Sequence, residues 1–309
     1  MTLEILIFVL LSASLHPFRD LLLKGLYSPG LCYLSISLTW MIFAILQAIV
    51  VDAPLMISPE YVPYVLGSAA GLYAYYYGTL LALKKGDLSV YYPIIRSSPV
   101  FVVIVGWTLL DRSYSWALLA GIAIVLTGVF LIQHGSSRRI GADTTSTKQA
   151  GLLSQPVVLT LALIAMSGSG IYSLVDSYAM QAADTSALPD LDVSTFLIWV
   201  YAVLSIVFWI TFSLTTHSYI PLGKQIGVLW KRHPWRLLSA AALSYASYVL
   251  ILESYERGAN VAAVTSLRLW SIPLSVILSA LYLKEGGFKN RLAASGVIVA
   301  GIMVIIFEG

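Results

Sequence analysis

Charged residues are scarce in this chain of 309 residues, at 11% of the total, whereas a soluble domain carries about 25%. Apolar residues account for 59%, and the mean hydropathy is +0.85. So few charges cannot cover a water-soluble fold of this size, so the composition indicates an integral membrane protein. The excess of 18 basic over 15 acidic residues is also too small and too scattered for a nucleic-acid surface.

Cysteine and histidine are nearly absent. The single cysteine, Cys32, excludes a disulfide framework and a cysteine-based zinc site, and the four histidines are too dispersed to predict a metal site. The sequence also lacks the H-E-x-x-H, G-x-S-x-G, P-loop and dinucleotide-binding motifs. We therefore expect no enzymatic activity, no cofactor and no ATP hydrolysis.

Ten apolar segments are each long enough to cross the membrane, which takes about 20 helical residues. Their apolar residues run continuously, so they predict helices and not barrel strands. The first segment lacks a basic flank and a small-residue cleavage site, and we expect it to be a membrane helix. The predicted spans are 3–24, 31–51, 62–84, 88–110, 114–133, 153–182, 193–215, 236–256, 260–283 and 289–307.

Basic residues are distributed unevenly between the connections. Of the 15 outside the predicted spans, 13 lie in or beside the connections after the odd-numbered spans, and only Arg112 and Arg257 lie on the other side. Because cytoplasmic loops carry the excess of Lys and Arg, this bias predicts that both termini are outside. The expected location is the cytoplasmic (inner) membrane of a bacterium.

An internal repeat relates the two halves of the chain. A shift of 172 residues aligns Tyr73-Ala74-x-Tyr76 with Tyr245-Ala246-x-Tyr248, Gly86 with Gly258, and Arg96 with Arg268. Each half has five predicted spans, an odd number, so the two copies must cross the membrane in opposite directions. The predicted fold is an all-α membrane protein of ten transmembrane helices in two inverted five-helix repeats. Residues 1–133 form the first repeat, 134–152 a polar linker and 153–309 the second repeat.

The turns after spans 3 and 8 carry related motifs. They read Ala82-Leu83-Lys84-Lys85-Gly86-Asp87-Leu88-Ser89, followed by Pro93, and Tyr255-Glu256-Arg257-Gly258-Ala259-Asn260-Val261-Ala262. Acidic turns follow at Leu110-Asp111-Arg112 and Lys284-Glu285-Gly286. With these motifs nearly the whole chain resembles the drug/metabolite transporter superfamily, of the kind with two EamA domains. The resemblance implies that fold and a secondary transporter, and it leaves the substrate open.

Arg96 and Arg268 each lie ten residues beyond the glycine of the preceding turn, which places them about 15 Å deep, near the bilayer centre. An arginine at that depth costs about 2.5 to 3.5 kcal/mol and should face a cavity or a partner. Two guanidinium groups brought together by the repeat could bind a carboxylate, phosphonate or phosphate. Alternatively, one or both pair with a fixed acid such as Asp176, Glu253 or Asp20.

Several other polar residues fall inside predicted spans. The tyrosines of spans 3 and 8 lie far from the helix ends, and their hydroxyls need the partners that a polar cavity supplies. His16 and Asp20 share a helix face and suit a proton relay, but a helix kinked at Pro17 with an Arg19–Asp20 pair is the favoured alternative. The predicted solute-binding residues are Arg96, Arg268, Tyr76, Tyr248, Tyr92, Tyr73, Tyr245, Asp176, His16 and Ser97.

Gly86, Gly258, Pro93 and Pro273 are predicted gating or hinge residues, because the helix pairs formed by spans 3–4 and 8–9 would rock around them. The glycines of spans 5, 6 and 10 are expected to serve helix packing. Trp40 and Trp270 are expected to face lipid, and the alternative is that either one stacks on a substrate.

These features predict a secondary active transporter that moves a small organic anion or zwitterion by alternating access. It would act in the lipid membrane as a monomer or homodimer, with a counter-solute or a proton as the coupled species. One alternative is a flippase whose arginines hold the phosphate of a lipid carrier. Another is a non-transporting membrane scaffold, in which every buried charge is paired and no central cavity exists.

Overall fold

The computed structural model describes residues 1–23, 26, 29–85, 88–140, 155–186, 188–215, 220–283 and 288–308, and the regular structure in them is helical. The α-helices are α1 (Leu3–Leu23), α2 (Pro29–Val50), α3 (Val62–Lys85), α4 (Leu88–Arg96), α5 (Ser98–Leu109), α6 (Trp116–Ile140), α7 (Pro156–Ser186), α8 (Val193–Thr215), α9 (Leu222–Arg232), α10 (Pro234–Glu256), α11 (Val261–Leu267), α12 (Ser271–Leu283) and α13 (Phe288–Glu308). Short 3-10 turns lie at Pro59–Tyr61 and Arg268–Trp270.

Seven helical segments of the described chain are long and apolar enough to cross a membrane. They are α1, α2, α7, α8, α10, the segment from Val261 to Leu278 and α13. Large apolar side chains such as Leu46, Trp107 and Phe307 are exposed on the outside of the molecule, as expected for helices surrounded by lipid. The chain is therefore a multi-pass helical membrane protein.

The other three predicted spans have helices that are shorter or less apolar. The four tyrosines between residues 73 and 77 lower the hydropathy of α3. The apolar parts of α5 and α6 extend over Ser98–Leu109 and Trp116–Ile132. The short amphipathic helix α9 was not predicted at all.

Both predicted spans that carry a central arginine are interrupted at that arginine. α4 ends at Arg96 and α5 begins at Ser98, while Arg268–Trp270 forms a 3-10 turn between α11 and α12. The predicted spans 88–110 and 260–283 are therefore helical but locally broken at the arginine, and the sequence did not predict this break. Pro99 and Pro273 lie in the first turns of α5 and α12, where a missing N–H group is tolerated but a continuous helix would lose a hydrogen bond.

The helices pack mainly in four pairs: α1 with α10, α2 with α8, α3 with α7, and α6 with α13. Glycines allow two of these pairs to approach closely. A Cβ atom on Gly168 of α7 would lie 2.6 Å from the backbone nitrogen of Tyr75, and one on Gly301 of α13 would lie 2.7 Å from that of Val125. Gly296 does not serve packing, because nothing lies within 4 Å of a Cβ placed there.

α6 continues to Ile140, so the first residues of the predicted linker, 134–140, are helical. The rest of the linker, 141–152, lies outside the described residues, as do Gly86 and the Lys284-Glu285-Gly286 turn. The predicted domain division at the linker therefore stays a prediction.

Candidate functional site

A central cavity of about 40 Å³ lies between helices from both predicted repeats. Its polar lining consists of His16, Arg19, Tyr75, Tyr76, Arg96, Ser98, Ser169, Tyr172, Thr265 and Arg268. A second lobe of about 20 Å³ shares five of these residues and adds Trp40, Leu72, Tyr201, Ser244, Ser247 and Tyr248. The structure thus brings Arg96 and Arg268, which are 172 residues apart in the sequence, to one cavity.

Each of these two arginines is held by a tyrosine. Nε of Arg96 donates a hydrogen bond of 2.9 Å to the hydroxyl of Tyr92, and its guanidinium carbon lies 5.0 Å from the centre of that ring. Nη1 of Arg268 donates a hydrogen bond of 2.9 Å to the hydroxyl of Tyr172. Among the described residues, neither arginine forms an ion pair with a carboxylate. Both cations therefore lack a contacting counter-charge, which favours an anion in the cavity.

The acids considered as partners for these arginines have other partners. Asp20 pairs with Arg19 at 2.7 Å, as the favoured alternative for helix α1 predicted. Glu253 pairs with Arg257 at 2.5 Å. Arg19 also lines the cavity, but its pairing with Asp20 leaves the charge of the site to Arg96 and Arg268. Sequence reasoning missed Arg19 as a lining residue.

Arg257 connects the N-terminal end of α1 to the C-terminal end of α10. Its Nε donates to Oε1 of Glu4 at 2.9 Å, and its Nη1 donates to Glu253. These hydrogen bonds raise the pKa of Arg257 above its usual value, and the bond to Glu253 has the largest effect. The cluster fixes the ends of two helices that line the cavity.

Tyr248 and Asp176 form a buried pair beside the second lobe. The hydroxyl of Tyr248 donates to Oδ2 of Asp176 at 2.5 Å, and Ser68 lies 3.5 Å from the same hydroxyl. Asp176 is fully buried, and among the described residues its Oδ1 has no hydrogen-bond partner. Tyr248 lines the cavity, so it connects the carboxyl group to that space.

His16 lines both lobes and contacts α10. Its Nε2 lies 3.3 Å from the hydroxyl of Ser247, which also hydrogen bonds to Ser12. Its Nδ1 is buried and has no partner among the described residues. Nδ1, and not the Nε2 that meets Ser247, is therefore the ring nitrogen left for a polar solute in the cavity.

Five predicted solute-binding residues are not among the residues that line the described cavity. Tyr92 and Asp176 contact lining residues, Arg96 and Tyr248, and the other three bind other parts of the protein. The hydroxyl of Tyr73 lies 2.9 Å from that of Thr211, and the hydroxyl of Tyr245 donates to Gln47 at 2.8 Å. Ser97 donates to the carbonyl of Pro93 at 2.7 Å. Tyr73 and Tyr245 lie about one helical turn before Tyr76 and Tyr248. At that level Thr211 of α8 and Gln47 of α2 form hydrogen bonds with their hydroxyls.

Tyr76 does line both lobes, among aromatic neighbours. Its ring centre lies 5.0 Å from that of Tyr33 and 6.0 Å from that of Trp40. Trp40 is buried and donates from its indole nitrogen to the carbonyl of Ala241 at 3.1 Å, so the expectation that it faces lipid was wrong. A buried indole N–H group needs such an acceptor, and the sequence does not show which helix supplies it.

Sequence reasoning also missed Tyr172, although a signal was present. Tyr172 lies four residues before Asp176, so the two share one face of α7. The segment around it is rich in small residues, and at Gly168 this lets α3 approach closely.

The predicted hinge residues lie at helix turns or inside short helices. Gly258 adopts φ +80° after α10, a conformation that L-residues rarely adopt. Asn260 then caps α11 through hydrogen bonds from the backbone nitrogens of Ala262 and Ala263. Pro93 lies inside α4 and Pro273 in the first turn of α12. A hinge function for these residues stays a prediction.

Comparison with known proteins shows similarity of fold alone. No family model matches the chain, and no curated protein matches it. A solved crystal structure of a protein superimposes on 99% of this chain and 97% of its own, with a TM-score of 0.70 and 15% sequence identity. The chain therefore shares the complete fold of that protein.

Proposed function

We propose that this protein is a secondary active transporter of a small organic anion or zwitterion. The observation that carries the proposal is the pair of arginines on one central cavity, Arg96 and Arg268, each held by a tyrosine and neither paired with a described carboxylate. A solute with a carboxylate, phosphate or phosphonate group would supply the missing negative charge and accept bidentate hydrogen bonds.

The proposed architecture is ten transmembrane helices in two inverted five-helix repeats, as in the drug/metabolite transporter superfamily with two EamA domains. The helix pairing supports it. α1 of the first half packs on α10 of the second, and α3 packs on α7. In repeat order these pairs are first with third and third with first, while α2–α8 and α6–α13 pair equivalent helices. A twofold relation between the halves would produce this reciprocal pattern.

The proposed mechanism is alternating access around the cavity. Discontinuous helices at mid-membrane are a common feature of solute sites in secondary transporters. Here both arginine-bearing spans are broken at the arginine, so each can change angle without breaking an intact helix. Rocking of α3–α4 and α10–α11 would expose the arginines to one side and then the other. The protein would act in a bacterial cytoplasmic membrane with both termini outside.

The scaffold alternative fits the site less well. A scaffold requires every buried charge to be paired and leaves no reason for a central space. The charges of Arg96 and Arg268 and the cavity between them instead favour solute binding.

A ligand screen tests the proposal. Purified protein would be heated with carboxylates, phosphates, phosphonates and amino acids, because a ligand that binds the folded state stabilises it by about 2.7 kcal/mol at a hundred times its Kd. We expect at least one anionic class to raise the apparent Tm and to exchange across proteoliposomes that contain the protein. A lack of both effects across all four classes would refute the proposal.

A further inference from the structure

Asp176 differs from the other acids of the central region because it is buried without a cation at contact distance. Asp20 and Glu253 each pair with an arginine, whereas Asp176 is bonded by the uncharged hydroxyls of Tyr248, at Oδ2, and Ser68, and Oδ1 has no partner among the described residues. An ionised carboxylate in such a place costs several kcal/mol, whereas the protonated acid is tolerated. The charge of Asp176 therefore depends on what else the cavity holds.

The groups that face Asp176 are uncharged, with one exception. Tyrosines surround it on its own helix and its neighbours, and Arg268 acts on it electrostatically without contact. Of the other helices packed against α7, α3 presents the hydroxyl of Ser68, α5 and α11 contain no charged residue, and α4 contains Arg96, which is bonded to Tyr92. The facing titratable or charged groups are Tyr172 on α7, Tyr201 on α8, Tyr248 and Tyr255 on α10, and Arg268 on the 3-10 turn.

Arg268 thus has two possible counter-charges, a solute anion in the cavity and the carboxylate of Asp176. When the cavity is empty, the guanidinium favours an ionised Asp176. When an anion binds Arg268, it neutralises the guanidinium, which then stabilises the Asp176 carboxylate less, and it adds a negative charge nearby. Both changes favour protonation of Asp176, and by linkage a protonated Asp176 favours the anion.

We infer that Asp176 is a proton-binding site coupled to the anion at Arg268, so that the protein carries a proton and its solute in the same direction. This inference rests on the proposed function and names its coupled species. Tyr248 supplies the route, because its hydroxyl contacts both the cavity and Asp176. It passes its proton to the carboxylate and takes one from a hydronium ion in the cavity, which becomes neutral water, so the tyrosine is left unchanged.

Two measurements on purified full-length protein test the coupling. Infrared difference spectra across a pH series detect the protonated carboxyl band, and a pH indicator in weak buffer detects proton uptake when anion is added. The probes are acetate, methanesulfonate and sulfate, which do not change protonation near neutral pH. We expect a bound probe to increase the band and to take up about one proton per protein.

Asp176→Asn should abolish both signals, since the amide keeps the shape but cannot bind the proton. Asp190→Asn, at an exposed position outside the cavity, is the matched control and should keep both. Tyr248→Phe keeps the carboxyl group and should retain the band while slowing proton uptake. If Asp176→Asn does not fold, the wild-type and Tyr248→Phe signals still decide.

The outcomes separate the two proposals. Binding of a probe without a change in the band or in proton uptake would overturn the coupling and leave the anion site standing. If none of the probes binds, and the ligand screen also finds no anion, the proposed function fails and the coupling fails with it. Equal signals in wild type and Asp176→Asn would assign the proton to another group and overturn the inference.

Discussion

Tyr172 holds Arg268 through a hydrogen bond of 2.9 Å from Nη1 to the phenolic oxygen. The same ring packs edge-on against Tyr248 with 6.0 Å between ring centres. One side chain of α7 therefore contacts both the arginine of the 3-10 turn and the tyrosine that hydrogen bonds to Asp176. A solute that moves Arg268 must also disturb this tyrosine contact.

Removal of either central arginine should stop solute transport. We expect Arg96→Ala and Arg268→Ala each to lower anion exchange in proteoliposomes by at least about tenfold, since a lost charge-assisted hydrogen bond costs about 1.5 to 3 kcal/mol. Arg96→Lys and Arg268→Lys should recover part of the activity, because they restore the charge but not the bidentate geometry.

Arg232→Ala is the matched control for these variants, because Arg232 is exposed on α9, a helix that contributes no residue to the cavity lining. Its exchange rate should equal that of the wild type. All variants should be monodisperse in detergent. Unchanged exchange in both alanine variants would remove the anion site.

The two tyrosines that hold the arginines should affect solute affinity more than protein stability. Tyr92→Phe and Tyr172→Phe each delete one hydroxyl that accepts from a guanidinium and keep the ring. A hydrogen bond of this kind contributes about 1 kcal/mol, so we expect KM to rise about fivefold with little change in Tm. The dependence of the exchange rate on solute concentration gives KM, and thermal unfolding gives Tm. Tyr73→Phe is the control and should leave KM unchanged, because the Tyr73 hydroxyl contacts Thr211 away from the cavity.

Close packing of α6 and α13 depends on Gly301 and not on Gly296. A methyl group at Gly301 would lie 2.7 Å from the backbone nitrogen of Val125, whereas nothing lies within 4 Å of one at Gly296. Gly301→Ala must push two backbones apart, and we expect a loss of about 1 to 3 kcal/mol. Gly296→Ala should have no such cost. Both substitutions lie on α13, and thermal unfolding of the two variants in detergent measures the difference. An equal Tm for the two variants would contradict this prediction.

Tyr61 should make stability depend on pH in the alkaline range. Its hydroxyl donates to the carbonyl of Pro189 at 2.7 Å. Burial raises the pKa of this hydroxyl most, and Tyr64 and nearby acids raise it further. A raised pKa in the folded state means that the contribution is complete below the unfolded value, about 10, and is lost as pH rises through the folded value.

We therefore expect Tyr61→Phe to lower the Tm at neutral pH and the difference from wild type to vanish at high pH. The measurement is thermal unfolding across a pH series. Tyr64→Phe is the control, because it keeps the ring beside Tyr61 and leaves the Pro189 hydrogen bond intact. A constant difference at all pH values would show that the Tyr61 hydroxyl does not titrate in this range.

The sequence predicted some site residues and not others for a clear physical reason. Repeat spacing placed Arg96 and Arg268 at mid-membrane, where an arginine needs a cavity or a partner, and the structure places both on one cavity. The repeat also predicted Tyr73 and Tyr245 as solute-binding residues alongside Tyr76 and Tyr248. Their hydroxyls instead meet Thr211 and Gln47, because neighbouring helices, which the sequence does not locate, supply the acceptors.

Composition and periodicity alone determined that this chain is helical and lies in a membrane, since a bilayer demands long apolar segments with internally bonded backbones. They also determined where the buried cations occur along the chain. Which acid neutralises which arginine, where Trp40 faces and where the two spans break were decided only by tertiary packing. Those outcomes depend on distances between residues far apart in sequence, and a buried charge or polar group responds to whatever lies within a few ångströms of it.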